Sequence, residues 1–448
     1  MYLLPKKIHC VGIGGSGLSG LAAILRQKGH EVSGSDQEAT TTLAHLETLG
    51  IRIQNKLGRA QAVIYSLAIP ASHAELKEAK RLKIPTFSYP EAVGVLTRDY
   101  YTIAICGTHG KSTTTAMIAK ILIENNFDPT VIVGTKLREL HGQNYRLGKS
   151  KILVLEACEY KRAFLNYSPN AVICHTLEAD HLDYYKDFDD YKKAFQEFAF
   201  RLPQDGYFFA NVDDENIHEI FQKLQQQHFP ASNSFSYGMK YDFADFFMKD
   251  LVIFHHGREV GKLLLQIPGI HNRSNALAAF AMCATLGIAP PDILKSLHGY
   301  RGAARRFEEK GRAGRTLIID DYGHHPTEIR ATLQAAREKF GKKKICVVFQ
   351  PHQYNRTKNL FKEFAGAFGQ ADFVIIPNIY EVRDSIKDRG AVSAQALVEA
   401  LKKNAVHAKF GEGISGTTEY LKSHGKNFDV IITMGAGNVW KVGEALVN

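Results

Sequence analysis

The stretch Thr102-Ile103-Ala104-Ile105-Cys106-Gly107-Thr108-His109-Gly110-Lys111-Ser112-Thr113 decides the fold class. Its first five residues are an apolar run of strand length, and the chain then turns through glycines into a helical pattern. The turn carries the Gly-Lys-Ser end of a phosphate loop. In such a loop backbone N–H groups cradle phosphates, Lys111 reaches the β and γ oxygens, and the Ser112 hydroxyl holds Mg2+. Ile105 stands where the first glycine of the full motif belongs, and an ordinary strand–helix turn reads the same way. The flanking strand and helix favour a nucleoside triphosphate at Gly107, Thr108, His109, Gly110, Lys111, Ser112 and Thr113.

The same strand–turn–helix grammar occurs earlier in the chain. A strand from Ile8 to Ile13 enters Gly12-Ile13-Gly14-Gly15-Ser16-Gly17, a helix runs from about Leu18 to Lys28, and Gly29 ends it. The next strand, Glu31 to Gly34, leads to Asp36. The pattern is G-x-G-x-x-G: Gly12, Gly14, Gly15, Ser16 and Gly17 let the backbone approach a diphosphate, and Asp36 is placed to accept a ribose hydroxyl. NAD, FAD and any other nucleoside diphosphate fit equally, and a ligand-free tight turn carries the same glycines.

Acidic residues follow two further strands. Glu156 and Glu159 end Ile152 to Leu155, and Glu178-Ala179-Asp180-His181-Leu182-Asp183 follows Ala171 to Cys174. Ligands of open α/β sheets sit beyond the carboxyl ends of strands, so these acids are placed to hold a phosphate-bridging Mg2+. Each alone also reads as a loop residue or helix cap. His271-Asn272-Arg273-Ser274-Asn275 precedes an Ala-rich helix from Asn275 to Leu286, where Ser274 serves as an N-cap or the amides read a nucleotide. Between 235 and 268, alternating polarity around His256-Gly257 predicts an antiparallel hairpin in a small sheet beside the main one.

A third block begins near Arg305, with strands Thr316 to Ile319, Lys344 to Phe349, Phe373 to Ile376 and Val430 to Thr433. The basic stretch Arg301 to Arg315 reads as a hinge or exposed linker; an arginine in Arg305-Arg306-Phe307 would stabilise a transferred phosphoryl group across a cleft. Asp320-Asp321-Tyr322-Gly323-His324-His325-Pro326-Thr327-Glu328 ends a strand and enters a helix. Its acids and histidines would also suit a transition metal. Gln350-Pro351-His352-Gln353-Tyr354-Asn355-Arg356 also ends a strand, where a polar or basic loop binds a carboxylate.

Alternating strands and helices predict an α/β protein of three domains, each built on a mostly parallel sheet. The expected boundaries are 1–98, a Rossmann-like domain; 99–304, a P-loop domain with the small antiparallel sheet; and 305–448, again Rossmann-like. At 45% hydrophobic and 23% charged, the composition excludes a disordered chain. No apolar run is long enough to span a bilayer, and Lys6 and Lys7 precede a strand rather than an apolar signal region. The cysteines at 10, 106, 158, 174, 283 and 346 form no C-x-x-C pair, as expected of reduced thiols in the cytoplasm. The net charge of +10 is spread without a basic arm, so a multiply phosphorylated substrate is expected rather than nucleic acid.

Taken in order, these motifs resemble the Mur ligase family over nearly the whole chain. The carriers are Gly12 to Gly17, Gly107 to Thr115, Glu156-Ala157-Cys158-Glu159-Tyr160, Glu178 to His181, His271 to Asn275, Arg305-Arg306-Phe307, Asp321 to Glu328 and Gln350-Pro351-His352. The resemblance implies an ATP- and Mg2+-dependent carboxylate–amine ligase of cell-wall precursor synthesis, acting on UDP-N-acetylmuramate and L-alanine through an acyl phosphate. It implies that Gly12 to Gly17 and Asp36 bind the UDP substrate and that Lys111 contacts phosphates. Ser112, Glu156 and His181 then serve Mg2+, and Asn272 and Asn275 lie near ATP. Arg306 and Asp321 reach the nucleotide, while His324, His325, His352 and Arg356 take the amino acid. A monomer or weak homodimer is expected. Three places depart from the family pattern: His175-Thr176 replaces Thr-Asn, Gln353 replaces a common arginine, and Asn438 replaces the usual aspartate. Two other readings stay open: a recycling ligase that attaches an intact peptide to the same UDP sugar, and an NAD(P) oxidoreductase.

Overall fold

In a computed structural model, residues 4–37, 40–181, 183–227, 233–382 and 384–447 are described; Leu182 of the second acidic cluster lies outside them. The chain forms two compact units, Met1–Leu264 with Ser274–Tyr300, and Leu265–Arg273 with Arg301–Asn448. Among the described residues, no helix is long and apolar enough to cross a membrane.

The first unit holds two sheets. The smaller contains β1 (Lys7–Val11), β2 (Glu31–Ser35), β3 (Arg52–Ile53), β4 (Ala62–Tyr65) and β5 (Thr86–Ser88), all parallel, in the order β3-β2-β1-β4-β5. Strand order reverses between β1 and β4, which opens a crevice at the carboxyl end of β1. The glycine turn lies there, followed by the helix Ser16–Gln27, whose inner face from Leu18 to Leu25 is buried.

The larger sheet has ten strands: β6 (Tyr101–Cys106), β7 (Thr130–Leu137), β8 (Gln143–Arg146), β9 (Ile152–Glu156), β10 (Ala171–Cys174), β11 (Tyr207–Asn211), β12 (Ser234–Gly238), β13 (Phe246–Lys249), β14 (Val252–His255) and β15 (Arg258–Lys262). Their order is β15-β14-β13-β12-β11-β10-β6-β9-β7-β8. Central β6 lies between parallel β9 and β10. These strands are covered on both faces, and their apolar runs are continuous rather than alternating. The expected hairpin is present at β14–β15, turning through His256 and Gly257. It is not a separate sheet: β13 pairs in parallel with β12, so the antiparallel strands extend the main sheet.

The second unit carries β16 (Glu308–Ala313), β17 (Thr316–Asp321), β18 (Ile345–Phe349), β19 (Phe373–Ile376), β20 (Ala408–Phe410) and β21 (Val430–Met434), in the order β16-β17-β21-β18-β19-β20. Only β16 is antiparallel. It corrects the linker reading of Arg301 to Arg315, since Glu308–Ala313 within that stretch is an edge strand. A second correction concerns the Ala-rich helix, which runs Ile270–Thr285, so Ser274 lies inside it and is not an N-cap. The start is set by Gly269, at φ 102°, whose carbonyl accepts the Asn272 and Arg273 amides.

Candidate active site

Register brings the first cluster together. Cys106 pairs with Cys174 and Ile105 with Glu156, so the ends of β6, β9 and β10 are level and their loops rise side by side. Gly107 and Gly110 have φ of 133° and 87°, left-handed values that favour glycine. A Cβ on Gly110 would strike the Asn275 Oδ1, and one on Gly107 would lie 3.0 Å from the His175 Cβ. The helix Lys111–Glu124 starts directly after Gly110 and is buried along most of its surface.

Lys111 Nζ donates to the Gly107 carbonyl at 2.6 Å, to the Thr108 carbonyl at 3.1 Å and to Glu159 Oε1 at 3.0 Å. Burial alone would lower its pKa, but the charges of Glu159, Cys158 and Glu156 outweigh that and raise it, so the ammonium stays charged. Glu159 is 1% exposed and also takes a hydrogen bond from the Tyr191 hydroxyl at 3.3 Å. Ser112 donates to Glu156 Oε1 at 3.0 Å, and Glu156 Oε2 accepts the Gly134 amide at 2.7 Å. His181, itself at φ 55°, brings Nε2 to 3.7 Å from Glu159 Oε1.

The His175-Thr176 departure supports this loop from below. Thr176 accepts the His109 amide on Oγ1 and the Thr108 amide on its carbonyl. His175 is buried, with Nδ1 2.8 Å from the Tyr237 hydroxyl. Burial, and then the Lys111 charge, push its pKa down to about 3, so the ring is neutral.

At the first glycine turn, the Gly12 and Ile13 amides donate to the Ser35 carbonyl at 2.8 and 3.0 Å, and Gly15 donates to Gly12. Asp36 Oδ2 accepts the Gly14 amide at 2.7 Å, so this carboxylate has a structural task in addition to any ribose contact. A cavity of about 200 Å³ adjoins the turn, lined by Gly14, Ser16 and His45 from one sheet's elements and Gly134, Lys136 and Asn144 from the other's. Sequence reading missed His45, Lys136 and Asn144, because no spacing links them to the glycines.

The second unit carries a cluster of its own. Asp321 is buried; it accepts the Phe307 and Gly323 amides, both at 2.8 Å, and burial raises its pKa against the Arg306 charge. Arg306 lies over the Tyr322 ring, 5.3 Å from its centre, and 3.8 Å from Glu328. Arg305 binds Asp320 at 2.8 Å and also the Gly435 carbonyl. Asn272 donates to the Pro268 carbonyl at 2.7 Å. His325 caps the helix Pro326–Phe340, its Nδ1 accepting the Thr327 amide. His324 and His352 stand 6.0 Å apart, and His352 stacks on Tyr380 at 5.6 Å. Arg356 Nη1 is 3.3 Å from His352 Nδ1; arginine only donates, so that nitrogen is the acceptor. Gln353, at φ 72°, turns its amide to the Val382 carbonyl. Asn438 accepts from Gln350, which also donates to Asn378. The candidate amino-acid residues thus gather beyond the carboxyl ends of β17 and β18, which their shared pairing with β21 keeps level.

Comparison with known proteins finds three consecutive family matches: Mur ligase family, catalytic domain, over residues 7–101; Mur ligase middle domain over 105–283; and Mur ligase, glutamate ligase domain, over 305–437. A UDP-N-acetylmuramate–L-alanine ligase of Acetivibrio thermocellus is 40% identical over 98% of this chain and 95% of its own length. A protein of the same name from Clostridium novyi is 39% identical over 98% and 96%. The crystal structure of UDP-N-acetylmuramate-alanine ligase from Thermotoga maritima superposes with a TM-score of 0.81 at 28% identity, covering 98% of both chains. A murein peptide ligase from Psychrobacter arcticus gives 0.73 at 21% identity over 99% of both, a likeness of fold alone.

Proposed function

The chain belongs to the Mur ligase family, and from that premise we propose that it joins L-alanine to the lactyl carboxylate of UDP-N-acetylmuramate, with ATP cleaved to ADP and phosphate. The observation that carries the reading is the phosphate loop with Lys111 and Ser112 bonded to Glu159 and Glu156, in a chain alike over its full length to ligases of that name.

A carboxylate does not react with an amine until one of its oxygens becomes a good leaving group. The lactyl carboxylate oxygen attacks the γ-phosphorus of ATP, the bond to ADP breaks, and an acyl phosphate forms. The alanine amine then attacks the acyl carbon, phosphate departs, and the amide remains after the amine loses a proton. The protein's work is positioning and charge neutralisation. Gly107 to Thr113 hold the triphosphate, with Lys111 moving its donors from its own loop carbonyls to phosphate oxygens. Ser112 and Glu156 place a hydroxyl and a carboxylate 3.0 Å apart, an oxygen pair suited to Mg2+, with His181 beside Glu159 at the same sheet end. When bound, Mg2+ neutralises the charge that develops on the transferred phosphoryl group. Asn272, Asn275, Arg306 and Asp321 serve the nucleotide. His324, His325, His352 and Arg356 receive alanine, and Gly12 to Gly17 with Asp36 receive the UDP moiety. We place this activity in the cytoplasm, where its substrates arise.

Hydroxylamine tests the chemistry directly. With ATP, Mg2+ and UDP-N-acetylmuramate but no alanine, it is expected to trap the activated carboxylate as a hydroxamate visible by mass. Turnover with alanine but no hydroxamate would remove the acyl phosphate from the account.

A further inference from the structure

The first glycine turn has few amides left to offer. Those of Gly12, Ile13, Gly14 and Gly15 are all engaged inside the protein, by the Ser35 carbonyl, Asp36 and the Gly12 carbonyl. What remains toward a ligand is the first turn of the helix Ser16–Gln27, with unpaired N–H groups and a partial positive charge of about half a unit. Against it stands the full negative charge of Asp36, bonded to Gly14. A diphosphate adds one negative charge on each phosphate, so the turn alone leaves the site strongly anionic.

The compensating charge comes from another sheet. Where β7 faces β8, the pairing register breaks between Ile132 and Leu137, and such irregularities re-aim side chains. Within that break, Gly134 gives its amide to Glu156, and Lys136 lines the cavity that Gly14 and Ser16 also line. Among the described residues lining the cavity, Lys136 is the only lysine or arginine; His45 is tied to the Tyr145 hydroxyl at 3.0 Å. Asn144, also on the wall, donates to the Ser16 carbonyl and fixes the helix start against this strand pair.

We infer that Lys136 is a substrate-binding residue that neutralises the diphosphate of the sugar nucleotide. This rests on the reading that the first glycine turn receives a UDP-sugar. Because Lys136 stands two residues from the strand position bonded to Glu156, its contact also orients the substrate toward the phosphate-transfer site.

The test uses the full chain with Lys136→Met and Lys136→Arg, and calorimetric Kd values for UDP, UMP and UDP-N-acetylmuramate. Lys136→Met should weaken UDP and UDP-N-acetylmuramate about tenfold, and UMP less than about twofold, with the salt dependence of UDP binding reduced. Lys136→Arg should stay within about threefold of the parent, and the KM for ATP within about twofold for both variants. Equal UDP affinity in parent and Lys136→Met would overturn the inference while leaving the ligase reading intact. Weakening confined to UDP-N-acetylmuramate, with UDP unaffected, would also overturn it, by assigning the lysine to the lactyl carboxylate. A parent protein that binds neither UDP nor the UDP-sugar would overturn this inference together with the proposed substrate.

Discussion

Lys111 is the residue on which the site's electrostatics turn. Its ammonium is kept charged by Glu159 and Glu156 although burial opposes it, and its present partners are Glu159 and two carbonyls of its own loop. Exchanging those carbonyls for phosphate oxygens costs little, because both sets are oxygen acceptors at the same end of β6. Lys111→Ala should therefore lower phosphate release at least about 100-fold while UDP binding survives, since the glycine turn proposed to take UDP is a separate structure. Glu156→Gln should raise the Mg2+ concentration for half-maximal rate at least about tenfold. An unchanged Mg2+ titration would take Glu156 out of the metal site. His175 makes a different prediction. Its folded pKa of about 3 lies below that of an unfolded histidine, so the unfolded chain binds the extra proton as pH falls. Stability contributed by neutral His175 is then complete above the unfolded value and is lost as pH falls toward the folded one. Denaturant unfolding between pH 6 and 4 should show a slope shallower in His175→Thr than in the parent, by up to about 1.4 kcal/mol per pH unit. Identical slopes would mean that His175 is not buried as a neutral ring.

At the scale of elements, glycine turns between parallel strands and helices place the chemistry, and they were also the most legible part of the sequence. An apolar run followed by Gly-x-x-Gly-Lys-Ser predicts a strand, a left-handed turn and a helix start because few other residues tolerate those φ values. Gly110→Ala tests this. It places a Cβ at φ 87° against Asn275, at a conformational cost of about 1–2 kcal/mol, so the KM for ATP should rise about tenfold with little change in the melting temperature of the whole chain. A normal KM would show that the loop adopts another shape when nucleotide binds. Other elements were hidden for physical reasons. β16 reads Glu308-Glu309-Lys310-Gly311-Arg312-Ala313, and as an edge strand with little to bury it shows no apolar period. The start of the helix Ile270–Thr285 was misplaced because His271 to Asn275 is polar throughout, while the deciding signal was the preceding Pro268-Gly269.

The whole molecule carries three sheets in two compact units, and its α/β class follows from alternating apolar runs and helical periods. Within the first unit the register of β6, β9 and β10 assembles Lys111, Ser112, Glu156 and Glu159, all of which the sequence had marked at strand ends. Sheet order was not legible, since neighbours such as β6 and β9 are separated in the chain by β7 and β8. For the same reason the cavity wall of His45, Lys136 and Asn144 could not be foreseen from spacing. In the second unit, where alanine is proposed to bind, Gln353 points to a backbone carbonyl instead of presenting a guanidinium. With Arg356 and the His324–His352 pair proposed as the carboxylate-binding group, Arg356→Ala should raise the KM for alanine at least about tenfold without altering the KM for ATP.

The central claim is that the chain couples ATP cleavage to amide formation between a UDP-sugar carboxylate and alanine. The direct measurement is phosphate release by the purified chain with ATP and Mg2+, omitting UDP-N-acetylmuramate and L-alanine in turn and replacing alanine with other amino acids and with a murein peptide. The account predicts sustained release only with both substrates present, fastest with L-alanine, and one amide product per phosphate. Release that ignores the UDP-sugar, or that requires the intact peptide in place of alanine, would contradict it.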